Sequence, residues 1–130
     1  MRNSMQVAAL PLRTKNGQLQ VLLVTTRGSG GWIIPKGSRS CKLNDAAAAA
    51  REAREEGGVV GQVKSPPVGK YLHQRRDGSH EVAVYELAVS SQRRKWPECR
   101  VRKRRWATVK EACNLTSQPG LRNLLLSTLG

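Results

Sequence analysis

A chain of 130 residues, 38% of them hydrophobic, is long enough for one domain with its own core. Its formal net charge of +14 at pH 7 exceeds what solubility requires and predicts a polyanionic partner: nucleic acid, a phosphate-rich small molecule or an anionic surface. No apolar run reaches the roughly 18 residues of a membrane span, which excludes a membrane-spanning helix from the prediction.

The cysteines predict the compartment. Cys41, Cys99 and Cys113 are odd in number and widely spaced, and no C-x-x-C motif occurs. This pattern is typical of reduced thiols rather than of a disulfide framework, so we predict a cytoplasmic protein.

The first half of the chain predicts strands followed by one helix. Residues 5–12 and 20–26 are predicted strands, with a turn at 15–17, a glycine-rich loop at 28–31 and a short extended piece at 32–34. An Ala-rich helix is then predicted, with Asn44 as its N-cap and Gly57 and Gly58 as its stop. The spacing i, i+3, i+4 places Glu52, Glu55 and Glu56 on one helix face, and such oxygen-rich clusters suit Mg²⁺ or Mn²⁺.

The second half of the chain predicts more strands and a closing helix. Predicted strands cover residues 59–63, 70–74, 80–89 and the basic run 100–107, with a polar loop at 90–99 and helices at 109–112 and 119–129. Asp77 and Gly78 predict a hairpin turn. Strands before and after a central helix predict an α/β fold with a mixed sheet flanked by helices.

One stretch of fixed spacing resembles the Nudix box, G-x5-E-x7-R-E-U-x-E-E-x-G-U, where U is bulky and apolar. Matching residues run from the leading glycine to the closing pair: Gly37, Arg51, Glu52, Glu55, Glu56, Gly58 and Val59. The clear departure is Leu43, which stands where the pattern has a glutamate that braces the box arginine. Asp45 lies two residues later and offers partial compensation.

Three further segments, VLLVTTRGSGGWIIPKG, HEVAVYELAV and KWPECRVRKRRWATVKEA, resemble those of diphosphoinositol polyphosphate phosphohydrolases and their bacterial relatives, so the resemblance covers residues 20–112. It implies a single Nudix hydrolase domain over residues 1–130, folded as a Nudix-type α/β/α sandwich with the box helix and the C-terminal helix flanking a mixed sheet. It also implies metal-dependent hydrolysis of a phosphoanhydride in a polyphosphorylated small molecule, such as a diphosphoinositol polyphosphate or a diadenosine polyphosphate.

The resemblance also implies site residues. Glu52, Glu56 and the Gly37 carbonyl are the expected metal ligands, with Mg²⁺ or Mn²⁺ as the cofactor. Glu55 is the expected general base or an additional ligand, and Arg51 the expected orienting residue. The substrate contacts are basic residues from separate segments, because phosphate needs many cationic donors: Arg27, Lys36, His80, Arg102 and Arg104. Strand alternation within 100–107 predicts Arg102 and Arg104 on one face.

Two other functions remain open on the sequence. One keeps the fold but acts on nucleotides or on RNA 5′ ends, which the net charge of +14 permits. The other is a non-catalytic nucleic-acid-binding domain, and the intact R-E-x-x-E-E motif speaks against it because a pure binder has no need of clustered carboxylates.

Overall fold

The computed structural model describes residues 5–130, so residues 1–4 of the predicted domain lie outside the described part. Within that part the eight strands are β1 (Met5–Lys15), β2 (Gln18–Thr25), β3 (Trp32–Ile33), β4 (Lys36–Ser38), β5 (Val59–Val63), β6 (Gly69–Arg75), β7 (Gly78–Gln92) and β8 (Arg104–Thr108). The helices there are α1 (Asp45–Gly57), α2 (Val109–Leu115) and α3 (Pro119–Leu129).

All eight strands form one mixed sheet. Its central path runs β3-β2-β1-β7-β5, while β4 pairs with β1, β6 with β7, and β8 with β2. The β1–β7 pair is parallel and the other pairs are antiparallel. The predicted turns are present: Asn16 and Gly17, both at positive φ, join β1 to β2, and Gly78 at φ 132° follows the β6–β7 turn.

Helices cover both faces of this sheet. Alternate residues of β1 point into two separate cores, with Val7 and Ala9 on the α1 side and Ala8 and Leu10 on the α2 and α3 side. Buried alanines of α1 line the first core, and the leucines of α3 line the second. The predicted α/β/α sandwich, flanked by the box helix and the C-terminal helix, is therefore confirmed.

The ends of α1 match the sequence signals. The Asn44 side chain accepts a hydrogen bond from Ala47 N–H at 2.8 Å, as an N-cap does. Gly58 closes the helix in the left-handed region at φ 67°, and its N–H binds carbonyls of the last turn. The two caps fix where α1 begins and ends, and therefore where its glutamates lie relative to the sheet.

Several predicted boundaries differ from the structure: β1 extends to Lys15 instead of residue 12, and β2 covers Gln18–Thr25 instead of residues 20–26. The predicted strand 100–107 is wrong at its start: residues 98–101 form a turn, with Val101 N–H and Arg102 N–H both donating to the Glu98 carbonyl at 3.0 Å, and β8 begins at Arg104. The strand predicted to end at Val89 continues to Gln92 because β5 pairs with it that far. The short β4 was missed because its three residues carry no periodicity.

Candidate functional site

Two carboxylates of α1 lie one helical turn apart against the sheet. Ala49 and Ala53 lie one turn apart on α1 and are fully buried, so the helix packs closely on the sheet through small side chains. Glu52 and Glu56 lie at i and i+4, so their side chains project from the same side of the helix. Burial and the neighbouring Glu55 raise the pKa of Glu52.

Gly37 makes room for Glu52. A Cβ atom at residue 37 would lie 2.5 Å from the Glu52 carboxyl carbon and 2.6 and 2.7 Å from its oxygens. Any side chain there would displace the carboxylate from the β4 backbone. The leading glycine of the motif therefore lets the Glu52 carboxylate lie against the β4 backbone.

Glu56 is buried, at 4% exposure, and is held by two groups. Its Oε1 accepts the Lys36 backbone N–H at 3.1 Å, and its Oε2 faces Arg102 Nη2 at 3.2 Å. Burial raises the pKa of Glu56 to about 8, although Arg102 and the Lys36 N–H oppose the rise. A carboxyl desolvated in this way favours a cation beside it.

Arg102 fixes Glu56 from the opposite side. Its Nε donates to Glu98 at 2.6 Å and its Nη1 donates to the Thr25 carbonyl at 2.8 Å, so three contacts hold one guanidinium. The side chain is only 11% exposed. Of the predicted basic residues, Arg102 thus lies beside the carboxylates.

Glu55 and Arg51 lie on the same helix, and both charges act on the pKa of Glu52. Both are half-buried, and the backbone carbonyl of Glu55 accepts the Glu98 N–H at 3.1 Å. Among residues 5–130, no three His, Cys, Asp or Glu side chains have the geometry of a metal site. The roles predicted for Glu55 and Arg51 remain predictions.

The donors near Gly37 fit a magnesium ion nonetheless. Mg²⁺ keeps several waters and is usually held by one or two carboxylates together with substrate phosphates. Glu52 and Glu56 supply two carboxylates, and the backbone of Gly37 lies close to the carboxylate of Glu52. Carboxylates are hard oxygen donors, as Mg²⁺ prefers.

A cavity of about 580 Å³ opens beside Glu56. Its walls come from the β2–β3 loop, β4, α1, β6 and the segments before β8 and α3: Thr26, Arg27, Ser29, Gly31, Ile33, Lys36, Glu56, His73, Gln74, Arg75, Arg76, Arg102, Ser117 and Gln118. Five of these residues are Arg or Lys and one is a carboxylate. The predicted Arg27, Lys36 and Arg102 are brought together here.

His80 and Arg104 do not line the cavity. His80 pairs with His73 across β6 and β7. Arg104 donates to the Gly57 carbonyl at 3.0 Å, and its guanidinium stacks 3.8 Å from the Trp96 ring centre. Arg102 precedes β8, so the predicted shared strand face of Arg102 and Arg104 does not occur. Arg104 instead supports the C-terminus of α1.

Three cavity residues on β6 and its turn were missed. His73, Arg75 and Arg76 line the wall facing α1. The segment HQRRDG was interpreted only as a strand and a hairpin, although alternation would place His73 and Arg75 on one strand face. That face could have been assigned to the site only by knowing where β6 lies in the sheet.

Gln118 holds β6 in place through two hydrogen bonds to its backbone. Its side chain accepts the Gln74 N–H at 2.8 Å and donates to the Gln74 carbonyl at 3.0 Å, so it pairs with β6 much as a neighbouring strand would. The edge of β6 is thereby covered and the position of the wall fixed.

The chain matches a family model described as the NUDIX domain over residues 3–126. It is 34% identical over 125 residues to Nudix hydrolase 21, chloroplastic, of Arabidopsis thaliana, covering 92% of this chain and 63% of the relative. It is 30% identical over 112 residues to human diphosphoinositol polyphosphate phosphohydrolase 3-alpha, covering 82% and 65%. The chain spans between 46% and 65% of the length of such curated relatives.

Solved structures share the fold. A C. elegans Ap4A hydrolase superimposes with a TM-score of 0.73 at 16% identity, covering 96% of this chain and 95% of that one. The NUDIX domain of Shewanella oneidensis NrtR, solved with ADP ribose, gives 0.77 at 18% identity, covering 100% and 90%. At these identities the likeness concerns the fold alone.

No helix within residues 5–130 has the length and apolarity needed to cross a membrane.

Proposed function

The chain belongs to the Nudix family, and from that premise we propose that it is a metal-dependent pyrophosphohydrolase. Its proposed substrate is a polyphosphorylated small molecule, either a diphosphoinositol polyphosphate or a diadenosine polyphosphate, in which it cleaves a phosphoanhydride bond. We also propose that residues 1–130 act as a single domain.

Mg²⁺ or Mn²⁺ is the proposed cofactor, since Nudix hydrolases generally use divalent metals. Glu52, Glu56 and the Gly37 carbonyl are the residues that would hold it. When bound, such a metal neutralises phosphate charge and lowers the pKa of a bound water.

The chain's own residues orient the reaction. Arg102 holds Glu56 in place through the 3.2 Å contact, so the carboxylate keeps one position. Lys36 and Arg27 would bind phosphate oxygens, because both line the cavity beside Glu56 and carry positive charge. We assign substrate contacts to His80 and Arg104 only as predictions, since neither lines the cavity.

Glu55 is proposed as the general base or as an additional ligand. It follows the Arg51–Glu52 pair on the same helix, and its carboxylate is close enough to Glu52 to raise that residue's pKa. Arg51 opposes this rise, and we propose it as the orienting residue.

The observation that carries the proposal is that Glu56 of α1, one turn from Glu52, lines a cavity rich in Arg and Lys. A phosphoanhydride is dense in negative charge and needs both a metal platform and cationic donors. The test is a screen of phosphoanhydrides with Mg²⁺ or Mn²⁺, with an EDTA control. We expect metal-dependent phosphate release, and failure to turn over any member of a broad panel would overturn the proposal.

The substrate choice rests on a relative's name and on charge. The human relative is named a diphosphoinositol polyphosphate phosphohydrolase, and the net charge of +14 favours a phosphate-rich substrate. RNA 5′ ends are the alternative. Competition between triphosphorylated RNA and small polyphosphates at matched ionic strength would separate the two, since preference for RNA at every salt concentration would replace the small-molecule proposal.

We propose the cytoplasm as the compartment. Cys41, Cys99 and Cys113 are all free thiols in the structure, which supports a reducing environment. Several relatives carry chloroplastic or mitochondrial names. Imaging of the tagged protein in its own cells tests this, and an organellar signal would contradict it.

A further inference from the structure

Half of the chain's net charge lies in the segment that leads from β7 into β8. Residues 93–105 contain eight basic residues and one acidic residue, so the segment carries a net charge of +7 out of the chain's +14. Of these residues, Arg102 lines the cavity, and its Nε donates to Glu98, the acidic residue, at 2.6 Å. Six of the other basic side chains are exposed: Arg93, Arg94, Lys95, Arg100, Lys103 and Arg105. None of the six is ion-paired with a carboxylate of residues 5–130, so their charge is available to a polyanion.

The end of α1 holds this segment in place. The carbonyls of residues 56–58 accept three hydrogen bonds from it: from Trp96 Nε1 at 2.9 Å, from Arg104 Nη1 at 3.0 Å and from Arg93 N–H at 2.8 Å. Carbonyls at a helix C-terminus lack partners within the helix, so these contacts tie the segment to α1. The exposed cations at 93–95 are therefore carried by a backbone that the helix fixes, which lowers the entropy cost of binding a partner.

An arginine–tryptophan stack lies beside these cations. The Arg13 guanidinium carbon is 4.2 Å from the centre of the Trp106 ring. Trp106 Nε1 donates to Gln92 Oε1 at 2.6 Å, which joins the stack to the residue before Arg93. Arg13 Nε donates to Gln20 Oε1 at 2.7 Å, so the plane of the guanidinium is fixed. The Trp106 surface is defined by six residues: Arg13, Gln92, Arg93, Arg94, Lys95 and Trp106.

The chemistry of the Trp106 surface suits a nucleic-acid strand whose bases are unpaired. Exposed cations neutralise phosphodiester charges, while unpaired bases stack on aromatic rings and on guanidinium planes. The stack of Arg13 on Trp106 supplies such a plane next to three exposed cations. None of the six residues lines the cavity beside Glu56, so a strand bound here would lie outside the proposed catalytic site.

An anionic membrane fits this surface less well. Proteins that lie on a membrane insert apolar side chains in addition to being attracted by its charge. In the described part of the chain, the exposed large apolar side chains are Leu19, Leu43, Leu72, Val101 and Leu126, and none of them belongs to the Trp106 surface. A membrane would therefore be held by charge alone, whereas an unpaired strand gains base stacking as well.

We propose that the Trp106 surface binds single-stranded RNA, through phosphate contacts to Arg93, Arg94 and Lys95 and through a base stacked on Arg13. RNA is the common single-stranded nucleic acid of the cytoplasm, which is the proposed compartment. This binding is separate from the hydrolysis proposed for the cavity, and it needs neither a metal nor turnover.

A binding experiment compares the Trp106 surface with the cavity. A labelled oligouridine of about 12 nucleotides with a 5′-hydroxyl end is titrated by fluorescence anisotropy in the presence of EDTA. The proteins are the wild type, Arg93→Ala/Arg94→Ala, and the matched control Arg75→Ala/Arg76→Ala, which removes two exposed arginines from the cavity. We expect about tenfold weaker binding in the first variant, and affinity within about twofold of the wild type in the control.

The salt dependence of the same titration reports on the phosphate contacts. The slope of log affinity against log salt concentration should become shallower by about 1.4 in Arg93→Ala/Arg94→Ala, since each lost contact to a single strand contributes about 0.7. Wild-type affinity in this variant overturns the proposal. An equal or larger loss in the control also overturns it, because RNA would then bind through net charge alone or in the cavity.

The stacking contact is tested without a change of charge. Arg13→Lys keeps the positive charge and removes the guanidinium plane, and Arg39→Lys makes the same exchange at an exposed arginine before α1. Each protein is titrated with the oligouridine and with an abasic strand that has the same number of phosphates. We expect the wild type and Arg39→Lys to prefer the oligouridine about tenfold, and Arg13→Lys to prefer it about threefold or less. Equal affinity of the wild type for both strands overturns the proposal, and an undiminished preference in Arg13→Lys overturns the stacking on Arg13.

Two further measurements separate this proposal from its neighbours. Co-sedimentation with vesicles of phosphatidylcholine and phosphatidylserine is measured at the salt concentrations used for RNA. We expect RNA to stay bound at a salt concentration that releases the vesicles, and vesicle binding that outlasts RNA binding overturns the choice of partner. Hydrolysis of phosphoanhydrides by Arg93→Ala/Arg94→Ala is expected to keep kcat/KM within about twofold of the wild type. If the wild type hydrolyses no phosphoanhydride, the proposed function fails while the anisotropy still decides the Trp106 surface.

Discussion

The carboxylate end of the site and the β6 side of the cavity are built in different ways. At the carboxylate end, Glu52 and Glu56 come from one helix, one turn apart, with Gly37 packed against Glu52. On the β6 side, His73, Arg75 and Arg76 come from a hairpin, and Arg27 and Lys36 approach from other elements. A site held by one helix has fixed internal spacing, whereas a site assembled across elements depends on how the sheet is ordered.

Neutralising Glu56 is expected to have the largest effect on activity. We expect Glu56→Gln to lower kcat by about 10³-fold, because several kcal/mol of charge stabilisation are lost. The amide oxygen can still accept the Lys36 N–H, so folding is retained. Steady-state kinetics with Mg²⁺ measures the loss, and Glu81→Gln, which removes an exposed carboxylate of β7, is the control. Wild-type kcat in Glu56→Gln would remove Glu56 from the machinery.

Removing Arg102 tests the same end through stability. Arg102→Ala leaves the buried Glu56 without its ion-pair partner, and we expect the free energy of unfolding to fall by about 3–5 kcal/mol. Urea denaturation measures this. Arg100→Ala, an exposed neighbour, is expected to change stability by less than about 0.5 kcal/mol. Similar stability of the two variants would show that the Arg102 contacts are weak.

Adding a methyl group at Gly37 perturbs the carboxylate without changing charge. In Gly37→Ala the new Cβ would displace the Glu52 carboxylate, because it would lie 2.5 Å from the carboxyl carbon. We expect the Mg²⁺ concentration for half-maximal activity to rise about tenfold. A metal titration of activity, with the thermal midpoint as a check on folding, measures it. An unchanged metal requirement would separate Gly37 from metal binding.

Measuring stability as a function of pH tests the β6 side of the cavity through His73. Burial and the nearby Lys36, Arg75 and His80 lower the pKa of His73 from 6.5 to about 4. Between these two values the unfolded chain binds more protons than the native one, so this contribution to stability is complete above pH 6.5 and decreases as pH falls toward 4. Urea midpoints should therefore fall less steeply with decreasing pH in His73→Phe than in the wild type. Parallel slopes would contradict the burial of a neutral imidazole.

The smallest effect is expected at Leu43. Its side chain is 38% exposed and precedes the N-cap Asn44. Leu43→Glu places a negative charge near the helix N-terminus, and we expect about 0.3–1 kcal/mol of added stability. Chemical denaturation measures it. A large gain in activity instead would show that the motif's missing glutamate limits catalysis.

The sequence alone predicted most of the fold. Its turn residues, the Asn44 cap and the Gly57–Gly58 stop act within a few neighbouring residues, so their outcome depends little on the rest of the chain. The start of β8 was predicted wrongly because a turn held by the Glu98 carbonyl replaces the expected strand. That turn depends on contacts that alternation cannot reveal.

The carboxylate end could be predicted from the sequence, because helical periodicity fixes how residues 52 and 56 lie relative to each other. Which cations meet those carboxylates was decided by the tertiary structure. Arg102 and Arg104 are two residues apart, yet one binds Glu56 and the other stacks on Trp96. His73 enters the site only because β6 pairs with β7 and Gln118 fastens its free edge. Local spacing thus determined the chemistry of α1, while the order of strands in the sheet determined what faces it.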